Sequence, residues 1–137
     1  MNNIKIFEND LPSELDLSNE KVIGVDCEAL GLVLGRDPLT LVQLGLESNQ
    51  FFLIKLNRKT YEAPNLVKIL SSTSTEFIMH YARQDLLWLK YHLSVQPKNI
   101  FCSKLASKIA RTASSFHGYR DLVKELCGKE TSKKEQQ

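Results

Sequence analysis

Residues 22–32 read VIGVDCEALGL. Val22, Ile23 and Val25 give positions 22–27 the compact, β-branched character of a buried strand. Two carboxylates, Asp26 and Glu28, stand at the end of that strand. Side chains two positions apart on a strand leave the same face, so these two can converge on one site. Taking ionised groups out of water costs several kcal/mol each unless they are paired or bound to metal. A hard divalent cation such as Mg2+ or Mn2+, which prefers oxygen ligands, would offset that desolvation and the mutual repulsion. The plainer reading has one acid capping a turn and the other solvated. The Asp-x-Glu spacing alone does not decide between them.

Working outward, Gly31, Gly35 and the step Arg36-Asp37-Pro38 mark a loop. Positions 39–46 and 50–56 read as two further strands, and 47–49 is a connection of hairpin length. Three consecutive strands on short loops predict an antiparallel meander. The pattern then changes. Pro64 suits a first helical turn, with Leu66, Val67, Ile69 and Leu70 as the apolar side of a short helix. A short strand over 76–79 precedes a helix over 82–92. A brief extended piece at 99–101 leads to helices over 104–112 and 119–127, and Gly128 suits the C-terminal cap. Positions 1–20 form a polar lead-in with a short strand near 4–7, and 129–137 a polar tail expected to fray. There is neither a repeat nor a linker. The expected architecture is a single α/β domain over 1–137: the three-strand meander plus parallel strands in one mixed sheet, flanked by helices.

The chain has 137 residues, 42% hydrophobic and 25% charged, which is enough for one domain with a core. Its net charge of +2 is unevenly spread: residues 1–97 carry nine basic against twelve acidic side chains, and residues 98–137 nine against four. The basic C-terminal part could face a phosphate backbone or could be solvated helix surface. Cys27, Cys102 and Cys127 are odd in number and form no Cys-x-x-Cys pair, which argues against a disulfide framework and a zinc site. The N-terminus lacks an apolar leader core, and no run approaches the roughly 18–20 apolar residues of a membrane span. A cytoplasmic protein with no membrane association is the expectation.

A second stretch, HYARQDLLWLK at 80–90, puts His80 at a strand end and Asp85 in the first turns of a helix. A helix N-terminal end favours negative charge and suits an acid facing a metal-bound water. Taken singly, Asp85 could be only a carboxylate complementing the helix dipole, and His80 only a strand-end histidine.

Taken in order, VIGVDCEALGL, RDPLTLVQLG, HYARQDLLWL and the segment from Asn99 onward resemble the ribonuclease D branch of the DEDD 3′–5′ exonucleases. The likeness runs from about Val22 to the end and is closest to the short, single-domain bacterial members. It implies a ribonuclease H-like fold and hydrolysis of RNA from the 3′ end to 5′-mononucleotides with two divalent ions, Mg2+ or Mn2+. Asp26 and Glu28 match the first exonuclease motif and would hold the metals; Asp85 matches the acid of the second and would act through water. Leu30 falls where the family packs an apolar side chain near the terminal base, and His80 near the scissile phosphate. Gln43 lies in the QL strand with a structural role. The implied partner is a single-stranded RNA 3′ end, with DNA as the other candidate. Lys104, Lys108 and Arg111, spaced along one helix face, are the candidate backbone contacts, with Arg120 and Lys124 beyond them.

The chain departs from the family in one respect. The third motif, Tyr-x-x-x-Asp on a late helix, has no match, so a fourth acid, the tyrosine and a last helix are expected to be missing. The stretch HGYRD at 117–121 offers Asp121 as a substitute of low standing. Cys102-Ser103 stands where many relatives carry Asp-Thr, and short bacterial relatives often carry Cys-Thr. Two readings remain: a metal-dependent exoribonuclease domain, or a catalytically impaired nucleic-acid-binding remnant of that family.

Overall fold

The computed structural model describes residues 3–131, and the end of the expected polar tail, 132–137, lies outside the described residues. Six strands form one sheet: β1 Ile4–Glu8, β2 Val22–Ala29, β3 Leu39–Leu46, β4 Phe51–Lys55, β5 Glu76–Met79 and β6 Ile100–Cys102. Their spatial order is β1-β4-β3-β2-β5-β6. The meander expected from the short loops is present, because β3 pairs antiparallel with both β2 and β4. The pairings β1–β4, β2–β5 and β5–β6 are parallel. Among the described residues four helices follow, α1 Pro64–Leu70, α2 Arg83–Leu93, α3 Ser103–Ala110 and α4 Tyr119–Cys127, with β5 between α1 and α2 and β6 between α2 and α3. Among the described residues no helix is long and apolar enough to cross a membrane.

The period-two pattern makes the sheet two-sided. One face sends Ile23, Val25, Val42, Leu44, Phe52, Ile54, Phe77 and Met79 into a core closed by Leu66, Leu70, Trp88, Leu89 and Leu93 of α1 and α2. The opposite face is open. In register across it lie Ile4, Phe51, Gly45, Gly24, Ile78 and Phe101, and Ile4, Phe51 and Phe101 are each more than 40% exposed. Asp26 and Glu28 belong to this open face, where charge need not be desolvated as fully as in the core.

Three departures from the sequence expectations have local causes. The lead-in is not merely polar: Leu11 and Leu17 are buried. The Asp10 carboxylate accepts the backbone N–H groups of Asn65 and Leu66, both at 2.9 Å, and so supplies the cap that Ala63 cannot. Strand β2 continues to Ala29, because pairing with β3 persists through Glu28↔Leu41 before the register shifts. Helix α3 stops at Ala110, two residues early. Arg111 leaves helical geometry, and its guanidinium donates to Ser107 Oγ at 3.0 Å and to the Phe116 carbonyl at 3.3 Å.

The loop after β2 is held by Asp37. Its buried carboxylate accepts Val33 N–H at 2.9 Å and pairs with Arg36 at 2.7 Å, and Leu30 N–H donates to the Pro38 carbonyl at 3.0 Å. Gly31 sits at φ 144°, and a Cβ there would lie 2.1 Å from Asp37 Oδ2. Gly128 is also left-handed, at φ 64°, but a Cβ there meets nothing within 4 Å. Chemical denaturation is therefore expected to rank the two: Gly128→Ala should cost about 1 kcal/mol, and Gly31→Ala clearly more, roughly 2 kcal/mol or above. Equal losses would show that the Asp37 knot is not a rigid part of the fold.

Candidate active site

Strands β2, β5 and β6 run parallel; β5 and β6 end side by side at Met79 and Cys102, and β2 runs on past them to Ala29. In α/β sheets such ends are where ligands bind. Strand β5 pairs with β2 only from Val22↔Glu76 to Gly24↔Ile78, and the two then part. The Cys27 N–H beyond this point has lost its ladder partner and needs another. Asp85, in the first turn of α2, supplies it: its Oδ1 accepts Cys27 N–H at 3.1 Å across 58 residues of sequence. Cys27 is flanked by Asp26 and Glu28, so this bond brings the third acid to the other two.

The electrostatics follow from that crowding. Burial and then the Asp26 charge push the Asp85 carboxyl up to about 6, against the Cys27 N–H, which pulls it down. Burial also raises Asp26, with the Cys27 N–H opposing. Glu28 is raised by burial and then by Asp26. The Cys27 thiol is driven well up by burial and by the carboxylates around it, so it is an inert core group. Among the described residues, no group of three or more His, Cys, Asp or Glu side chains is placed so that it could hold a metal ion. The carboxylates still suit a hard divalent cation by their chemistry: the Asp26 charge raises both Glu28 and Asp85, none of the three makes an ion pair among the described residues, and Mg2+ needs only one or two carboxylates beside water and phosphate.

Gln43, opposite Asp26 in the β2–β3 ladder, donates its Nε2 to Asp26 Oδ2 at 3.3 Å. It therefore orients a site carboxylate. A cleft of about 530 Å³ opens on the same face, lined by Asp26, Gln43, His80, Ser103 and Tyr119 among others. His80 Nδ1 lies 3.0 Å from Ser103 Oγ, and the Tyr119 ring meets the His80 ring edge-on at 5.7 Å. The next residue, Tyr81, is left-handed at φ 62°, a strained state for an aromatic, at the turn into α2. Lys104 Nζ sits 4.1 Å from the centre of its ring.

The structure thus gathers Asp26, Glu28, Asp85 and His80 at one end of the sheet. Leu30 stands at the start of the Asp37 loop, 62% exposed. Lys104 is engaged with Tyr81, and Lys108 is exposed on α3. Arg111 does not extend from α3 as a free cation. It pairs with Glu125 of α4 and donates to Ser107, tying the two helices together. Asp121 folds over Gly118 at the start of its own helix, where its oxygen would lie 2.8 Å from a Cβ. Sequence reasoning missed Tyr81 and Ser103 as site neighbours. The available signal was positional: both follow the ends of parallel strands.

The raised Asp85 carboxyl makes stability depend on pH with a definite sign. Its folded-state value of about 6 exceeds the usual ~4 of an unfolded Asp. Above about pH 6 both states are ionised and the folded state carries the strain; as pH falls from about 6 toward 4, the folded state takes up the proton first and gains stability. Asp37, held at about 2 by Arg36, loses its stabilising effect only below about pH 4. In chelator, the thermal midpoint should rise between about pH 7 and pH 5, and Asp85→Asn should remove that rise and be more stable at neutral pH. The depressed His80 and His92 act the other way over the same interval, so the contrast decides: equal wild-type and Asp85→Asn profiles would contradict the crowding.

A family model described as 3′–5′ exonuclease matches residues 6–137. No curated protein matches the sequence. The structure of Brucella melitensis NrnC with bound Mg2+ superposes with a TM-score of 0.89 at 35% identity, covering 96% of this chain and 65% of that one. NrnC bound to pGG gives a TM-score of 0.90 at 36% identity, covering 96% and 64%. The chain therefore spans a little under two thirds of the length of NrnC. Escherichia coli RNase D shares the fold alone, with a TM-score of 0.71 at 20% identity over 88% of this chain and 31% of that one. The mixed sheet and its helices form the ribonuclease H-like exonuclease fold, and the chain belongs to the 3′–5′ exonuclease family.

Proposed function

We propose that the chain is a metal-dependent 3′–5′ exoribonuclease domain of the cytoplasm, hydrolysing single-stranded RNA from its 3′ end to 5′-mononucleotides. The observation that carries the reading is the convergence of Asp26, Glu28 and Asp85 at the carboxyl ends of parallel strands, fixed by the Cys27–Asp85 bond. The Mg2+ and pGG of the NrnC structures support a divalent cofactor and a short oligonucleotide substrate. DNA ends are the alternative substrate.

Asp26 and Glu28 would hold Mg2+ or Mn2+ directly, with Asp85 reached through water. Such ions supply Lewis acidity at a phosphodiester and lower the pKa of bound water. The chain's own residues do the rest. Gln43 aims Asp26. Leu30 offers an apolar contact to the terminal base. Lys104 and Lys108 attract the backbone, so affinity should fall with salt; Arg111, neutralised by Glu125, should contribute little directly. Water adds across the terminal phosphodiester, the P–O3′ bond breaks, and the released nucleotide keeps its 5′-phosphate.

A second reading, binding without turnover, is favoured by the carboxylate count: the one Tyr-x-x-x-Asp in the sequence runs from Tyr81 to Asp85, whose acid is already one of the three, so the pattern adds no fourth. One assay separates the two. The chain is incubated with a 5′-labelled single-stranded RNA and Mn2+, and the products are resolved by length. Stepwise shortening from the 3′ end, reduced about 100-fold or more in Asp26→Asn, is expected. Binding with no shortening, unaffected by Asp26→Asn, would replace the enzyme reading with the binding one.

A further inference from the structure

We propose that Ser103 fixes His80 as the Nδ1–H tautomer, so that the ring's Nε2 accepts a hydrogen bond from a ribose hydroxyl of the terminal nucleotide. This rests on the exonuclease reading and names the substrate group that His80 meets: the sugar, rather than the phosphate expected from sequence. A serine hydroxyl carries one hydrogen. Ser103 Oγ lies 3.3 Å from the Met79 carbonyl, which can only accept, so the hydroxyl serves both of its neighbours only by donating there. Toward His80 Nδ1, 3.0 Å away, the same oxygen can then only accept. Nδ1 therefore bears the proton. Burial, then Lys104, hold the His80 pKa below its ordinary value, with Asp26 opposing, so the neutral ring prevails near neutral pH. Its Nε2 is a bare acceptor.

The ring lines the cleft that also contains Asp26, and Tyr119 braces it edge-on. Phosphate oxygens only accept, so a bare acceptor offers them nothing. A 3′-terminal ribose offers two donors, the 2′- and 3′-hydroxyls, and a deoxyribose end offers one. Ser103 is thus a positioning residue for substrate choice, acting through His80.

The test has two arms. In the first, nitrogen NMR of the metal-free protein reads the His80 ring. A proton on Nδ1 and a bare Nε2 are expected, with the preference lost in Ser103→Ala and kept in Ser103→Thr. A proton on Nε2 in the wild type overturns the proposal, whatever the chain's activity. In the second, binding of short single-stranded oligonucleotides in Ca2+ is compared for 3′ ends carrying ribose, 2′-deoxyribose or 3′-deoxyribose. Removing one of the hydroxyls should weaken wild-type binding about fivefold, the scale of one neutral hydrogen bond. That penalty should vanish in Ser103→Ala and His80→Ala and persist in Ser103→Thr. RNA that binds equally well without either hydroxyl overturns the proposal. If no oligonucleotide binds, the exonuclease reading fails and takes the hydroxyl contact with it, while the tautomer still stands or falls on the NMR arm.

Discussion

The backbone N–H of Cys27 donates to the Asp85 carboxylate across 3.1 Å, at the point where β2 and β5 stop pairing. Much of the site's arrangement follows from that contact. The divergence of the two strands leaves a donor without a ladder partner. The first turn of α2 fills the gap with an acid, and so α2 is oriented by the same bond that completes the carboxylate cluster. One side chain meets the backbone requirement and joins the carboxylate cluster. The raised Asp85 carboxyl measures the tension in this arrangement, since burial and Asp26 outweigh the hydrogen bond that lowers it.

The tension is distributed by the two-sidedness of the sheet. The face toward α1 and α2 is dry and closely packed, with Ile23, Phe77 and Leu89 fully buried. The face carrying Asp26, Glu28 and Gln43 is open, with two glycines, Gly24 and Gly45, opposite each other in its ladder. Stability comes from the first face, and the second is free to hold like charges together. Residues that hold the edges of the site in place are correspondingly costly in local terms: Tyr81 is strained, and Gly31 admits no side chain against Asp37.

Much of this was legible in the sequence, for identifiable reasons. Strands at 39–46 and 76–79 and the helix at 119–127 have sharp period changes and turn residues at both ends, and their bounds agree with the structure. Asp26 and Glu28 announce themselves because carboxylates at the end of an apolar strand demand an explanation. What was hidden is contact between distant residues. Nothing local says that Asp10 caps α1, that Gln43 reaches Asp26, or that Ser103 meets His80. The setting of Arg111 was hidden for the same reason: helical spacing put it beside Lys104 and Lys108, but Ser107, Phe116 and Glu125 engage it as the helix ends.

Asp26 raises both Glu28 and Asp85 at this end of the sheet, and the proposed role of a divalent cation is to relieve that repulsion. The most direct measurement is the thermal midpoint of the chain near neutral pH, titrated with Mg2+ or Mn2+ and compared with Asp26→Asn. Binding to the native state alone raises the midpoint with ion concentration. The wild type should show that rise, and Asp26→Asn should be more stable without metal yet respond weakly to it. A wild-type midpoint that ignores the ion, or one that rises equally in Asp26→Asn, would contradict the claim.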